Sequence, residues 1–466
     1  MTSPRPWLHW GSVVVLAVTI VLFAFGSSSV PAFLSFGQQT RWAGLFALCA
    51  LAFVQGGLGR PTRPSALFVT LACITALLGA LALLSAGWSI APRLTEERSL
   101  TLLVLFAAGA SLAYAVSVEP RIWPWILYAI LAAAVVVCFL GLFVLAFARN
   151  DAMQWASPGT PARYRGLGQN PNTVPMLAAI AMPIAFWVAA ESRRKSAQLL
   201  GWLALLLLAG TIAAANSRGA LIAALAAMLI YGAGAFRSAR ARGATVVLVT
   251  SLFAVSYGVY QVMPSLPLAY QSSTSGSSGG AGGSTGRGGT AMPTVAYFPG
   301  ALLNEVGRPL YGPSGEIARQ ALGTSGRLQA WRGALQQGDQ RPLLGFGFGT
   351  EERVFADRYY TFEGSRPENS FIGLYLQLGA VGVALLLMAC AVLAWAYRSV
   401  LRTRESADRS VAAVCAGVVA AGLLLMLVQS YVYSVGNIAS VSFWVCAFLL
   451  TISATPRKAP AGRINA

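Results

Sequence analysis

About twelve apolar stretches succeed one another along this chain, each long enough to cross a ~30 Å hydrocarbon core as a helix. They fall at 8–26, 42–58, 65–87, 99–117, 122–147, 173–190, 198–215, 219–236, 244–265, 370–397, 411–430 and 438–454. Only 10% of the residues are charged and the mean hydropathy is +0.64, whereas a soluble domain carries about a quarter charged residues. The stretches lack the period-two alternation of barrel strands, and inside lipid a helix is the other way to satisfy every backbone polar group. The expected fold is an all-α integral membrane protein with about 12 transmembrane helices and one large extracytoplasmic loop containing short helices. Residues 1–265 hold the first nine helices, 266–369 the loop, 370–454 the last three helices and 455–466 a cytoplasmic tail. The first stretch lacks an obvious small-residue cleavage site and reads as a span rather than a signal peptide.

Short connecting segments set the orientation. With the N-terminus in the cytoplasm, basic residues such as Arg60, Arg63, Arg193, Arg194, Lys195, Arg398 and Arg402 collect on the cytoplasmic side. The segment 266–369 then lies outside, and its arginines do not count against this, because long domains translocate regardless of charge. The net charge of +18 therefore divides in two. One part faces anionic inner-leaflet lipid, and the other is an outward arginine set that topology does not explain. Cys49, Cys73, Cys138, Cys390, Cys415 and Cys446 all fall in apolar spans, so neither a disulfide framework nor a metal cluster is expected. The only histidine, His9, lies at the cytoplasmic start of the first span and reads as interfacial. No metal, no cofactor and no nucleic-acid partner is expected.

Two outer segments interrupt the membrane pattern: 148–172, rich in Gly, Pro and charge, and the long loop. Within the loop, 271–290 is a Gly/Ser tract of flexible-coil composition. Ser325 is placed to cap a helix running to about Gln337, with Leu328, Trp331 and Leu335 forming an apolar stripe for the bilayer surface or neighbouring helices. The glycines of "GFGFG" (345–349) lack the Walker lysine and serine of a phosphate loop. They read instead as positions needing positive φ.

No carboxylate falls in the middle of a predicted span, which argues against a proton-coupled carrier. Arg218, in the tight turn "NSRG", reads either as a snorkelling interfacial arginine or as a fixed ligand for an anionic headgroup, since a guanidinium binds phosphate oxygens as a planar fork. The outer side also offers Arg163 and Arg165, then Arg327, Arg332 and Arg366, together with Glu368. This is an inventory for chemistry on a lipid pyrophosphate: arginines stabilise the anionic leaving group and a carboxylate takes a proton from a hydroxyl acceptor. Glu368 and Asn369 also precede Ser370 at the start of a span, where such residues cap helices. Position alone leaves Glu368 open as cap or base.

At these residues the sequence resembles the superfamily of O-antigen ligases and polysaccharide polymerases of bacterial envelopes. "RGLGQNPNTVPMLAAIAMP" is similar to the family's Gly…Asn-Pro-Asn start of a span, which includes Asn170 and Asn172. "NSRGALIA" is similar to its Ser-Arg-Gly turn, and "TSGRLQAWRGALQQGDQRPLLGFGFG" to its Gly-Arg…Trp…Pro-Leu-x-Gly-x-Gly stretch. "ENSFIGLYLQLGAVG" is similar to its His-Asn-x-x-Leu…Gly-x-x-Gly helix start, and "SAGWSIAPRLTEERSL" fits its early outer loop. The resemblance implies metal-independent inverting transfer of a glycan from an undecaprenyl-pyrophosphate donor to a glycan or lipid acceptor, at the outer face of the bacterial cytoplasmic membrane. Arg218 and Arg327 match arginines thought to hold the pyrophosphate. Glu368 stands where the ligases carry a histidine regarded as the acceptor base. By the same resemblance Arg163, Arg165, Asn170, Asn172, Arg332, Arg366 and Asn369 are expected to bind substrate.

The missing histidine favours a polymerase joining repeat units over a ligase delivering glycan to a lipid core or other acceptor. A flippase for lipid-linked glycan shares the arginine chemistry but needs a polar path, and no charged residue falls in the predicted spans. An envelope scaffold without chemistry would leave the outer arginines without a role.

Overall fold

The computed structural model describes residues 6–58, 64–154, 163–168, 170–236, 243, 245–251, 254, 327–355, 366–402, 406–434 and 436–453. The Gly/Ser tract 271–290, Ser325, the tail 455–466 and most of the expected span 244–265 lie outside them. The described chain is almost entirely helical: α1 Pro6–Phe25, α2 Pro31–Leu58, α3 Ala66–Leu84, α4 Pro92–Val118, α5 Trp123–Phe147, α6 Arg149–Ala152, α7 Thr173–Glu191, α8 Lys195–Ala214, α9 Arg218–Ala235, α10 Arg327–Gly338, α11 Glu351–Phe355, α12 Ser370–Arg402, α13 Ser406–Met426 and α14 Ile438–Ser453. Among the described residues eight helices are long and apolar enough to cross a membrane, and Trp10–Phe25 and Ile438–Ser453 are shorter apolar helices. Among the described residues the one sheet is an antiparallel pair of two-residue strands, Met153–Gln154 with Arg163–Tyr164.

Burial sorts the helices. Helix α7 is buried at every position from Val174 to Ala189, as expected of a helix apolar all round and placed at the bundle centre. Helices α9, α13 and α14 pack around it. Helix α8 is peripheral, with Leu199, Leu200, Leu203 and Leu206 exposed on the side where lipid would lie. At the end of the bundle away from the site, Glu191 ties three helices together by accepting from Tyr231 Oη at 2.6 Å and from Ser410 Oγ.

Two element boundaries depart from the sequence reading. Helix α2 begins at Pro31, a residue pre-organised for a first helical turn, so Arg41 lies inside a helix, about 15 Å along it, rather than before a span at 42. Gly37 and Gly26 allow α1 and α2 to meet there, since a Cβ on Gly37 would stand 2.1 Å from Gly26 N. Likewise α4 begins at Pro92, so Glu96, Glu97 and Arg98 are helical rather than part of a loop.

The third departure matters more for the site. The stretch expected as one span, 370–397, is broken at Gly379 (φ 61°, ψ −160°). The backbone groups freed by the break bond to the loop that precedes α11: Phe346 N to Leu376 O and Gly347 N to Gln377 O, both 2.9 Å, and Ala380 N to Pro342 O, 2.8 Å. A broken helix at membrane depth is tolerated where protein satisfies its polar groups in this way. Glycine is required at 379, because a Cβ there would lie 2.2 Å from the carbonyl carbon of Leu343. Gly379→Ala is therefore expected to destabilise the protein by about 1–3 kcal/mol from the left-handed backbone alone, with the clash added. Thermal denaturation of detergent-purified protein checks this, and an unchanged midpoint would contradict it.

The same loop explains "GFGFG": Gly345, Gly347 and Gly349 have φ of 65°, 102° and 80°. Helix α10 also differs from expectation. Its buried face is Ala330, Gly333, Ala334, Gln337 and Gly338, while Leu328 and Leu335 are exposed. Small residues win this face because they allow close approach to α12, where a Cβ on Gly338 would meet the Tyr375 ring at 2.5 Å.

Candidate active site

Six separate stretches converge at one end of the bundle: the hairpin strand at Arg163, the turn before α7, the turn between α8 and α9, helix α10, residues 366–370, and the strip 427–430 after α13. Between them lies a cavity of about 50 Å³, lined on its polar side by Arg163, Asn172, Asn216, Ser217, Arg218, Arg327 and Gln429. Its apolar lining includes Met176, Leu425 and Val428. Arg218, Gly219 and Ala220, the first turn of α9, form part of the wall. Ser217 at the helix N-cap makes no side-chain cap bond; its hydroxyl instead donates to Asn172 Oδ1 at 3.3 Å. An uncapped helix N-terminus carries partial positive charge and unsatisfied N–H groups. Together with three arginines it makes the cavity a site for an anion.

Glu368 stands beside this cavity. Its backbone is left-handed (φ 48°), which is uncommon for a residue other than glycine and clusters at functional sites. Its Oε2 accepts from Arg327 Nη2 at 2.6 Å and from Gln429 Nε2 at 3.3 Å. Asn170 Nδ2 approaches Oε1 at 3.5 Å, a long contact that leaves that oxygen the less engaged of the two. The preceding peptide is fixed by Trp331, whose Nε1 donates to Pro367 O at 2.7 Å. The helix cap is Asn369: its Oδ1 accepts from Phe371 N and Ile372 N at 3.0 and 3.2 Å. Its amide nitrogen donates to Leu427 O. The capping bonds of α12 thus come from the neighbour of Glu368, and the carboxylate faces Arg327.

The remaining expected residues divide. Arg163, only 5% exposed, braces the site by donating Nε to Ala215 O at 2.9 Å and Nη2 to Asn172 Oδ1 at 2.7 Å. Asn170 closes the turn before α7, accepting from Asn172 N. Arg165 belongs to the hairpin instead, giving its donors to the carbonyls of Asp151 and Asn150. Arg332 is exposed on another face of α10 from Arg327. Arg366, two residues from Glu368, turns the other way and pairs with Glu352 at 2.8 Å while donating to Ser434. The structure therefore brings Arg163, Asn170, Asn172, Arg218, Arg327 and Glu368 together and places Arg165, Arg332 and Arg366 elsewhere.

Two residues to which the sequence reading gives no role at the site also belong here. Gln429 lies in the apolar run "GLLLMLVQSYVY", read as the end of a span, and an isolated amide in such a run is itself a signal. Trp331 belongs to the apolar stripe and to the family-like Gly-Arg…Trp stretch, neither of which points to its bond with Pro367 O. Among the described residues no group of three or more His, Cys, Asp or Glu side chains could hold a metal ion.

An arginine-lined cavity suited to an anion, in a helical bundle with eight helices long and apolar enough to cross a membrane among the described residues, points to a multi-pass membrane protein. Residues 203–387, the stretch that carries Arg218, Arg327 and Glu368, match the family model described as O-antigen ligase. Over that stretch, which is less than half of the 466 residues, the chain is similar to the O-antigen ligase family. No curated protein matches the chain by sequence. Among solved structures, a chain from work on polymerization and crosslinking by a peptidoglycan synthase complex is similar at 17% identity with a TM-score of 0.41, over 82% of this chain and 96% of that one. At that level the likeness is too distant to define an activity.

Proposed function

We propose that the protein is a polymerase of lipid-linked glycan repeat units, acting at the outer face of the bacterial cytoplasmic membrane on an undecaprenyl-pyrophosphate donor without a metal ion. One observation carries this reading: Arg218 and Arg327, from parts of the chain far apart in sequence, line one cavity at a helix N-terminus, and Glu368 is bonded to the second of them. The arginines and the first turn of α9 would hold the diphosphate. An acceptor hydroxyl attacks the anomeric carbon from the face opposite the diphosphate and forms the new glycosidic bond. The bond from that carbon to the diphosphate oxygen breaks, and the electron pair leaves with the lipid diphosphate. The hydroxyl proton passes to Glu368 Oε1. Arginines placed where leaving-group charge develops lower the barrier electrostatically, as a metal would elsewhere.

Glu368 occupies the place of the ligase histidine, which supports elongation of repeat units over delivery to a lipid core. The flippase reading gains one residue from the structure, Arg41 inside α2, whose Nε is buried without a hydrogen-bond partner among the described residues. One arginine against a glycine contact between two helices does not make a polar path. The test is to incubate the purified protein with a synthetic undecaprenyl-pyrophosphate repeat unit, with and without an added acceptor. Products lengthened by whole repeat units are expected. Transfer only to the added acceptor would instead indicate a ligase, and donor moved across liposomes without being consumed would indicate a flippase.

A further inference from the structure

Behind the site, on the side of residues 366–370 away from the cavity, lies a carboxyl group that the transfer chemistry does not use. Glu351 is 3% exposed. Its Oε2 accepts from Tyr433 Oη at 3.1 Å and Gln377 Nε2 at 3.3 Å, while Oε1 has no partner among the described residues. Arg366 does not serve as its counter-ion by hydrogen bond: Nε and Nη2 go to Glu352 and Nη1 to Ser434. Burial pushes the Glu351 carboxyl up, with Arg366 and the Ser430 and Tyr433 hydroxyls pulling against it. The bonds from Tyr433 and Gln377 are both donated to the carboxyl, so they tie Glu351 to the strip after α13 through Tyr433 and to α12 through Gln377.

Its partners connect it to the reacting carboxylate. Gln377 Nε2 also donates to Gly373 O, and Gln377 Oε1 accepts from Gly349 N at 2.6 Å. Gly373 must lack a side chain, because a Cβ would lie 2.0 Å from Tyr433 Oη and 2.3 Å from Glu351 Oε1. The strip that contains Tyr433 is the one that grips the start of α12. Ser430 Oγ accepts from Asn369 N, Ser370 Oγ donates to Gln429 O, and Tyr431 N donates to Ser370 Oγ. That strip also places Gln429 on Glu368.

We propose that Glu351 is a positioning residue whose hydrogen bonds clamp the 427–433 strip to the first turns of α12 and so hold Glu368 in its left-handed reactive conformation. The proposal rests on reading Glu368 as the base. It is tested in the purified full-length protein with Glu351→Gln and Glu351→Ala, by repeat-unit elongation kinetics and by amide hydrogen exchange. Glu351→Ala is expected to lower kcat about a hundredfold, the scale of an ångström of misplacement, with the donor KM unchanged. Exchange should quicken at residues 366–372 but not at 218–224. Glu351→Gln, equal in shape and uncharged, should stay within about twofold of the wild type in both readouts. A Gln variant as impaired as the Ala variant would overturn the proposal by showing that the charge is what matters. So would unchanged kcat and exchange in Glu351→Ala, or a loss seen only in donor KM. Tyr433→Phe, which removes only one hydroxyl, should give the same pattern more weakly and serves if Glu351→Ala does not fold. If the wild type transfers no glycan, the functional reading fails, while the exchange data still judge the clamp.

Discussion

Glu368→Gln is expected to cut glycan transfer by about 10²–10⁴-fold, the usual range for a lost general base, while binding of the pyrophosphate donor stays at least as strong as in the wild type. The amide preserves the shape and can still accept from Arg327, but it cannot take the acceptor proton. The carboxylate also occupies Arg327 at 2.6 Å in the present arrangement, so its charge competes with a phosphate for the same guanidinium. Removing that charge frees the arginine for the donor. Single-turnover transfer together with binding of a non-reactive diphosphate analogue separates the two effects. A variant that transfers normally would remove Glu368 from the chemistry, and one that loses donor binding in step with transfer would make it a binding residue.

The second large effect falls on the arginines. Arg218→Ala and Arg327→Ala are each expected to reduce kcat by about 10²–10³-fold, the scale of losing one preorganised donor at a developing anion, and to weaken donor binding as well. Lysine should restore little at either position, since a point charge replaces a planar fork. The two losses should not add in the double variant if both arginines grip one diphosphate, because groups acting as a unit are not independent. Elongation assays on the single and double variants check this. Retained activity in Arg218→Ala would reduce that residue to an interfacial anchor.

The helices were readable from the sequence because lipid leaves the backbone few alternatives, and apolar length alone marks most of them. The break at Gly379 was not readable, since a glycine within an apolar run is ordinary and the loop that satisfies the freed backbone lies about thirty residues earlier. The buried face of α10 escaped for a related reason. Leu328 and Leu335 look like the core side, but Ala330, Gly333 and Ala334 are what allow α12 close. At the site, residue type and resemblance pointed to Arg218, Arg327 and Glu368; the two arginines line one cavity, and Glu368 stands beside it, bonded to Arg327. They could not say which way each neighbouring arginine turns: Arg366 and Glu368, two residues apart, face different partners because the left-handed backbone at 368 reverses the local direction. Nor could they decide between cap and carboxylate at 368–369, a choice made by the side-chain bonds of Asn369.

The most direct measurement is a structure of the Glu368→Gln protein with an undecaprenyl-pyrophosphate glycan donor bound. The diphosphate is expected between the guanidinium groups of Arg218 and Arg327 at the first turn of α9, with the anomeric carbon towards residue 368. A diphosphate bound away from this cavity, or touching only one of the two arginines, would contradict the assignment.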